Sequence, residues 1–258
     1  MVPDQHSSMI QNTLPATKAA TFAVLVPHPR PEARGFPTPN GTAFFVSSDG
    51  YVITALHVLK RADGTVHNAA DICLTKPEVQ GPCEVRNLTI VRQWPDFDLA
   101  LLKADFEPHR EQPCFRDKTG FDYITIDFTT VPEGTQVYAF GYPLPDIQLQ
   151  GNQQVIVGFH FFCPRTTSAI ISSHNEVIGP VRIAVGFPES YVIDKALNYG
   201  NSGGPIVVEE SGRVVAVCQR FQPVSIPQGT GTVQIPSLYG ITRSLKTVEA
   251  DLRNILHI

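Results

Sequence analysis

Short apolar segments separated by turn residues dominate the chain, and long amphipathic runs are rare. The strand-like segments lie within residues 41–58, 85–91, 99–103, 136–141, 154–162, 181–187, 206–217 and 237–242. Within the first of them, Ser48, Asp49 and Gly50 separate two apolar stretches, which is typical of a β-hairpin because Asp and Gly tolerate positive φ. This pattern predicts an all-β sandwich or a pair of β-barrels.

The two ends of the chain depart from this pattern. Residues 1–18 are polar and irregular, which predicts a loosely ordered N-terminal arm. Apolar residues recur at steps of three and four after Ser244, predicting a C-terminal helix over 244–258 with Thr242 or Ser244 as its N-cap. A boundary between two halves is expected within 115–132, where polar and turn residues mix.

Composition restricts the classes of function. Of 258 residues, 42% are hydrophobic and 17% charged, which is typical of a folded globular protein. The net charge of -4 argues against nucleic acid as a partner, because phosphate neutralisation needs a basic surface. No run approaches the roughly 18 apolar residues of a membrane span, so we also expect no membrane partner.

Cysteine usage and the N-terminus point to a reducing compartment. Five cysteines are an odd number and do not resemble a disulfide framework. Cys73 and Cys83 could close a small loop, but free buried thiols are favoured. The first residues include Asp4 and lack the basic and apolar regions of a secretory signal. The sequence therefore predicts a cytoplasmic location.

Three separated residues are candidates for one nucleophilic site. A serine hydroxyl needs a base within hydrogen-bond reach, and that base needs a partner that fixes its tautomer. His57 follows an apolar strand, and Asp98 directly precedes another, although Asp96 competes with it for the same role. Ser202 lies in the glycine-rich stretch 198–207. The order and spacing of histidine, aspartate and serine suit two β-barrels.

The same glycine-rich stretch also matches the Gly-x-Ser-x-Gly nucleophile elbow of α/β-hydrolases. In that architecture a helix follows the serine, and the acid and the histidine come later in the chain. Only 56 residues follow Ser202 (258 minus 202), and His257 is the one histidine among them. Pro205 leads into a second hairpin pattern over 207–215 instead of a helix. The elbow interpretation is therefore rejected.

The motifs Thr-Ala-Leu-His, Asp-Leu-Ala-Leu-Leu and Gly-Asn-Ser-Gly-Gly-Pro occupy residues 54–57, 98–102 and 200–205. Together they resemble the trypsin-like serine proteases of the chymotrypsin fold. The longer run 194–207 and the Phe-Gly-Tyr-Pro turn at 140–143 are similar to the HtrA/Deg-like branch, here expected without a PDZ domain. The resemblance implies two packed, six-stranded antiparallel β-barrels, at 19–125 and 126–243, that form one protease domain.

The resemblance also implies a role for each residue of the site. Ser202 would attack the scissile carbonyl, His57 would act as general base and then acid, and Asp98 would orient the imidazole. The backbone N–H groups of Gly200 and Ser202 would form the oxyanion hole. The expected partner is a protein or peptide substrate, with neither a cofactor nor a metal ion.

Specificity follows from the same resemblance. Ala196 would form the floor of the pocket for the P1 residue, which precedes the scissile bond, and it carries no charge to receive Lys or Arg. The expected walls are Val217, Cys218, Gln219 and Leu238, favouring a small or medium apolar P1 side chain. Arg220 offers the alternative of an acidic residue. The segment 217–220 would pair with the substrate backbone as an added strand.

Asn201 is a departure from the digestive members, which have Asp before the nucleophile to pair with a newly cut N-terminus. We therefore expect no activation by N-terminal cleavage, and any regulation would come from ordering of loops by substrate or by a sensor or regulatory partner. Two other functions stay open. One is a catalytically idle trypsin-like scaffold or binding module, and the other is an esterase that uses the same three residues.

Overall fold

A computed structural model of the chain describes residues 5–29, 37–151, 156–174, 190–229 and 231–258. The strand predicted over 181–187 lies outside the described residues. Within the described ranges, no helix is both long enough and apolar enough to cross a membrane.

An antiparallel sheet of seven strands forms the first half. Its strands are β1 Thr21–Val26, β2 Thr38–Phe45, β3 Tyr51–Ala55, β4 Cys73–Thr75, β5 Glu84–Val85, β6 Thr89–Trp94 and β7 Leu99–Lys103. They are arranged in the order β5-β4-β1-β2-β3-β7-β6. Gly50, at φ 105°, closes the β2–β3 hairpin as the sequence predicted.

Strand β7 shows why the apolar runs of this half are continuous. Ala100 and Leu102 pack into the core of the first half. Leu99 and Leu101 point to the opposite face and join a second cluster with Tyr138 of the other half. Because successive strand residues face opposite sides, a sheet between two cores needs apolar residues at every position.

A closed six-stranded barrel forms the second half. Its members are β8 Gln136–Gly141, β11 Arg165–Ser173, β12 Ser190–Ile193, β13 Pro205–Val208, β14 Val214–Gln228 and β15 Gly231–Ser244, and a separate pair consists of β9 Asp146–Gly151 and β10 Ile156–Phe161. The barrel order is β11-β12-β15-β14-β13-β8. The predicted all-β fold class is confirmed.

The N-terminal segment differs from the predicted arm, because α1, Gln5–Ala20, is helical. The Thr17 hydroxyl lies 2.9 Å from the hydroxyl of Tyr138, and both side chains are buried. At the other end, Lys76 Nζ donates to the carbonyls of Lys18 and Ala19, where a cation is favoured by the helix dipole. Tertiary contacts stabilise a helix whose own apolar periodicity is weak.

The C-terminal helix is confirmed. A 3₁₀ turn, Leu245–Val248, leads into α2, Glu249–Leu256. Ser244 is the N-cap, since its hydroxyl accepts a hydrogen bond of 3.3 Å from the Lys246 backbone N–H. Leu252 is fully buried against the cluster that joins the two halves.

The cysteine prediction was wrong at one pair. Cys83 forms a disulfide with Cys114, and their Cα atoms are 5.6 Å apart. The alternative partner, Cys73, is a buried free thiol whose pKa is raised to about 12 by burial. The bond joins residues 31 positions apart that meet only in the folded chain, so spacing alone did not reveal it.

Candidate active site

His57 is presented by a short helix at the end of β3. The 3₁₀ helix Leu56–Leu59 follows directly after Ala55. Leu56, Val58 and Leu59 are buried, whereas the side chain of His57 is 43% exposed. Three apolar neighbours thus anchor the turn and leave the imidazole at the surface.

Asp98 lies between β6 and β7, after the 3₁₀ turn Pro95–Phe97, with φ at 53° in the left-handed region. Its Oδ1 accepts the backbone N–H of His57 at 2.9 Å, and its Oδ2 lies 2.6 Å from His57 Nδ1. A proton on Nδ1 leaves Nε2 with a free electron pair, as a general base requires. Asp96 is exposed and makes no hydrogen bond to His57 within the described chain, so Asp98 is the aspartate that contacts His57.

The loop that carries Ser202 depends on two glycines. Gly200 has φ 95°, and a Cβ there would lie 2.4 Å from the Tyr142 carbonyl oxygen. Gly203 has φ 85°, and a Cβ there would lie 2.1 Å from the Thr42 carbonyl oxygen. Only glycine satisfies both the backbone angle and the space at these positions.

Thr42, on β2 of the first half, fastens this loop and was missed by the sequence analysis. Its backbone N–H donates to the Ser202 carbonyl at 2.8 Å, and its hydroxyl donates to the Gly200 carbonyl at 2.8 Å. The same hydroxyl accepts the Tyr142 N–H at 3.2 Å. Since Thr42 is fully buried, these bonds are shielded from water and fix the loop against the half that carries His57.

The hydroxyl of Ser202, the candidate nucleophile, donates to an acceptor other than His57. Ser202 Oγ donates to the backbone carbonyl of Gln219 at 2.7 Å, and no hydrogen bond between Ser202 and His57 occurs in the described part of the chain. The side chain of Gln219 contacts the turn before Asp98, because its Nε2 donates to the Phe97 backbone carbonyl at 2.7 Å. Gln219 therefore contacts both the candidate nucleophile and the turn that holds Asp98.

The two predicted oxyanion donors have no backbone hydrogen-bond acceptor among the described residues. Among hydrogen bonds between described residues, the N–H groups of Gly200 and Ser202 have no backbone acceptor, whereas those of Asn201, Gly203 and Gly204 all do. Two free donors flanking a nucleophile are what an incoming carbonyl oxygen requires.

The predicted pocket walls need a correction. Val217 and Cys218 are fully buried and belong to the hydrophobic clusters of the fold, so neither faces a surface pocket. Gln219 is 98% buried and directs its amide toward Phe97. Val217 lies in the cluster between the two halves, Cys218 lies in the core of the barrel, and the Gln219 amide contacts the turn before Asp98.

The remaining specificity residues stay near the surface. Ala196 is half-buried, Arg220 is exposed, and Leu238 is 79% exposed. Next to Ala196, Leu197 packs on β15, since a Cβ on Gly240 would lie 2.5 Å from Leu197 Cγ.

Comparison with known families agrees with this geometry. A family model described as a trypsin-like peptidase domain matches residues 41–217, which carry all three candidate residues. The chain belongs to this family. The resemblance stated from the motifs is thereby confirmed, including its HtrA/Deg-like character, as the similar proteins show.

Proteins with DegP-like names are among the relatives of this chain. The chain is 28% identical over 220 residues to a protein of Bartonella henselae named "Probable periplasmic serine endoprotease DegP-like", covering 84% of this chain and 34% of the relative. It is 30% identical over 191 residues to a protein of the same name from Rhizobium meliloti, covering 73% of this chain and 29% of the relative. The chain thus spans about a third of the length of the curated relatives it matches.

Solved structures show the same fold. The HtrA-type protease AlgW with a decapeptide superposes with a TM-score of 0.59 at 20% identity, covering 98% of this chain and 68% of that one. AlgW with a tripeptide gives 0.57 at 20% identity, covering 96% and 64%.

The cytoplasmic prediction is contradicted by these comparisons. The relatives from Bartonella henselae and Rhizobium meliloti are both named periplasmic. The Cys83–Cys114 disulfide is consistent with that finding, since disulfides persist in oxidising compartments. The sequence argument failed because it rested on an odd cysteine count and on the appearance of the first residues.

Proposed function

We propose that the chain is a serine endopeptidase in which Ser202 is the nucleophile, His57 the general base and Asp98 its orienting partner. The observation that carries this proposal is the pair of hydrogen bonds from His57, through Nδ1 and through its backbone N–H, to the two oxygens of one carboxylate. This arrangement leaves Nε2 as the free base. A scaffold with no catalytic role does not require an imidazole held in this orientation.

Catalysis starts with a rotation of Ser202 about χ1. Its hydroxyl leaves the Gln219 carbonyl and donates to His57 Nε2, after which Oγ attacks the substrate carbonyl as Nε2 takes the proton. The resulting oxyanion accepts hydrogen bonds from the N–H groups of Gly200 and Ser202. Protonated His57, stabilised by Asp98, then passes the proton to the leaving amine, and water hydrolyses the acyl-enzyme. Apo serine hydroxyls commonly reach productive geometry only with substrate bound.

The P1 preference follows from the residues near the pocket. Ala196, at the predicted pocket floor, is half-buried and carries no charge, so a small or medium apolar side chain fits best. Arg220 is exposed on the adjoining strand and offers an alternative contact for an acidic residue.

Regulation by N-terminal cleavage is not part of this proposal. Asn201 is 4% exposed, and a Cβ on Gly141 would lie 3.1 Å from its Oδ1, so the side chain is enclosed. An amide carries no charge to pair with a newly formed ammonium group. Release of Ser202 from Gln219 on substrate binding is the step we propose instead.

A fluorophosphonate probe tests the proposal, because it reacts only with an activated serine. Wild type should become labelled, and Ser202→Ala should not. Well-folded wild type that fails to react would support the scaffold alternative. Labelling combined with turnover of esters but of no peptide library would support the esterase alternative.

A further inference from the structure

The β14–β15 hairpin extends well beyond the barrel. Among the described residues, strand β13 pairs with β14 only from Val214 to Val217, and β12 pairs with β15 only from Gly240 to Arg243. The two long strands nevertheless continue to pair with each other as far as Gln228 and Gly231. We call residues 221–239 the outer ribbon.

One face of the outer ribbon is apolar and exposed. Ile226 lies directly opposite Val233, and Ile235 lies two positions further along β15, so all three side chains share a face. Their exposed fractions are 44%, 44% and 40%. Phe221, Leu238 and Tyr239 at the base are 39%, 79% and 45% exposed.

The outer ribbon and the three residues after it carry no charged side chain. Residues 221–242 contain no Asp, Glu, Lys, Arg or His, whereas 17% of the whole chain is charged. A contiguous, exposed apolar surface of this kind is typical of a binding site. An ionic partner is disfavoured because nothing in the segment would pair with it.

The outer ribbon is continuous with the candidate active site. Gln219, whose carbonyl accepts the Ser202 hydroxyl, is the point at which β14 loses its β13 neighbour among the described residues. An extended peptide can therefore pair with this free edge only from Gln219 outward. Pro223 and Pro227 lack N–H donors, which restricts regular pairing to about the first four residues of the edge.

We propose that the outer ribbon binds an apolar, uncharged stretch of an unfolded polypeptide substrate, N-terminal to the scissile bond. A substrate that pairs antiparallel with β14 at Gln219 places its N-terminal part beside the ribbon. At about 3.3 Å per residue, Ile226 lies about 23 Å beyond Gln219. Apolar residues roughly five to nine positions before the cut would therefore contact it. This inference rests on the proposed function.

Two fluorescent peptides test it by binding to Ser202→Ala, so that no turnover is needed. Both carry the same central cleavage sequence, but the ten residues before it are apolar and uncharged in one and Gly/Ser-rich in the other. We expect the apolar extension to lower Kd about tenfold or more, since its side chains leave water on contact with the ribbon. Equal affinities would overturn the inference without using any ribbon variant.

Ribbon variants locate the binding. Ile226→Thr, Val233→Thr and Ile235→Thr combined in Ser202→Ala keep β-branched residues and should remove the advantage of the apolar peptide. Val91→Thr, at a 39% exposed valine of β6, is the matched control and should retain it. If the triple variant binds both peptides as its parent does, the inference is wrong.

Cleavage and mass measurements separate this inference from its alternatives. In a chain that keeps Ser202, the three threonine substitutions should raise KM for the extended apolar peptide about tenfold. KM for a short peptide of the central sequence should not change. Failure of wild type to cut either peptide would count against the proposed function, whereas binding would still decide the inference. A dimer in light scattering that the triple variant abolishes would assign the ribbon to a second copy of this chain and overturn the proposal.

Discussion

Thr42 is the residue through which the first half fixes the nucleophile loop. Its hydroxyl both donates to the Gly200 carbonyl and accepts from the Tyr142 N–H, in a fully buried environment. A buried carbonyl that loses its donor has no water to replace it. The position of Gly200, and with it one oxyanion donor, therefore depends on a single threonine 158 residues away.

Thr42→Val should lower the free energy of unfolding by about 1–3 kcal/mol, because it leaves that carbonyl unpaired while preserving shape. It should also slow fluorophosphonate labelling. Chemical denaturation and labelling rates measure both effects. Thr42→Ser keeps the hydroxyl and serves as the matched control. Wild-type labelling by Thr42→Val would show that the hydroxyl does not position the loop.

Gln219 should act on the reaction through Asp98. Gln219→Met keeps the length of the side chain but removes the donor to Phe97. Loss of one hydrogen bond of about 1 kcal/mol should reduce kcat about fivefold. KM should stay constant, because the substituted amide contacts the turn before Asp98 and not the substrate. Gln93→Met, at an exposed glutamine of β6, is the control, and an unchanged kcat in Gln219→Met would refute the role.

The sequence predicts the three candidate catalytic residues but not the residues that hold them in place. His57, Asp98 and Ser202 each stand in a local pattern of strand end, turn and glycines. Thr42 and Gln219 carry no such pattern, because their contacts cross between the halves. Val217 and Cys218 were misplaced for a related reason, since sequence position along β14 does not reveal where burial ends.

At the scale of elements, the loop 105–115 is held to β5 by a disulfide and by a polar cluster. Cys114 is bonded to Cys83, beside the start of β5. Gln112 exchanges two hydrogen bonds of 2.7 Å with the Glu84 backbone, and its Nε2 also approaches His109 Nδ1 at 3.3 Å. The disulfide and these hydrogen bonds therefore fix the loop to the edge of the first sheet.

Removal of the disulfide should destabilise the chain. A bond that closes a loop of 31 residues contributes about 3–4 kcal/mol by restricting the unfolded state. Cys83→Ala combined with Cys114→Ala should lose that amount in urea denaturation, and a reducing agent should lower the midpoint of wild type alone. Cys163→Ser, at an exposed free cysteine, is the control. Equal midpoints for wild type with and without reductant would contradict the bond.

His109 should make stability depend on pH. Burial lowers its pKa below 6.5, and its Nε2 lies 3.2 Å from the Arg86 carbonyl while Nδ1 accepts from Gln112, which uses the neutral ring. Between the folded and unfolded pKa values of His109, the unfolded chain binds more protons. The contribution of neutral His109 to the free energy of unfolding is therefore present above pH 6.5 and is lost as the pH falls below it.

Denaturation at pH 7.5 and pH 5.5 measures this contribution. His109→Gln should show a smaller loss of unfolding free energy than wild type over that range. His257→Gln, at an exposed terminal histidine, should behave as wild type does. An identical loss in His109→Gln and wild type would exclude His109 as the source.

Element prediction succeeded where local chemistry decides the structure. The Ser48–Gly50 hairpin and the C-terminal helix capped by Ser244 follow from turn residues and apolar periodicity. Helix α1 was missed, because tertiary contacts with Tyr138 and Lys76 stabilise it more than its own pattern does. The Cys83–Cys114 pair was missed because only the fold brings the two together.

At the scale of the whole molecule, the site depends on how the two halves meet. His57 and Asp98 belong to the first sheet and Ser202 to the barrel. The hydroxyl of Tyr142, on the barrel side, donates to Glu78 Oε1 at 2.9 Å and lies 3.3 Å from the Thr21 carbonyl oxygen, across the same boundary. Burial raises the pKa of Tyr142, so this donor keeps its proton at neutral pH.

Helix α1 reinforces the same boundary. Its Thr17 contacts Tyr138 of the barrel, and its C-terminal carbonyls receive Lys76 of the first half. The arrangement of two β halves could be predicted from the spacing of the three motifs. The contacts that set their relative position could not, because they join single polar residues that no periodicity marks.

Mapping of cleavage sites in an unstructured protein by mass spectrometry tests the central claim most directly. Wild type should cut internal peptide bonds, predominantly after small or medium apolar residues, and Ser202→Ala, His57→Ala and Asp98→Asn should each abolish or strongly reduce cutting. Undiminished cleavage by purified Ser202→Ala, or an absence of cleavage by folded wild type, would contradict the account.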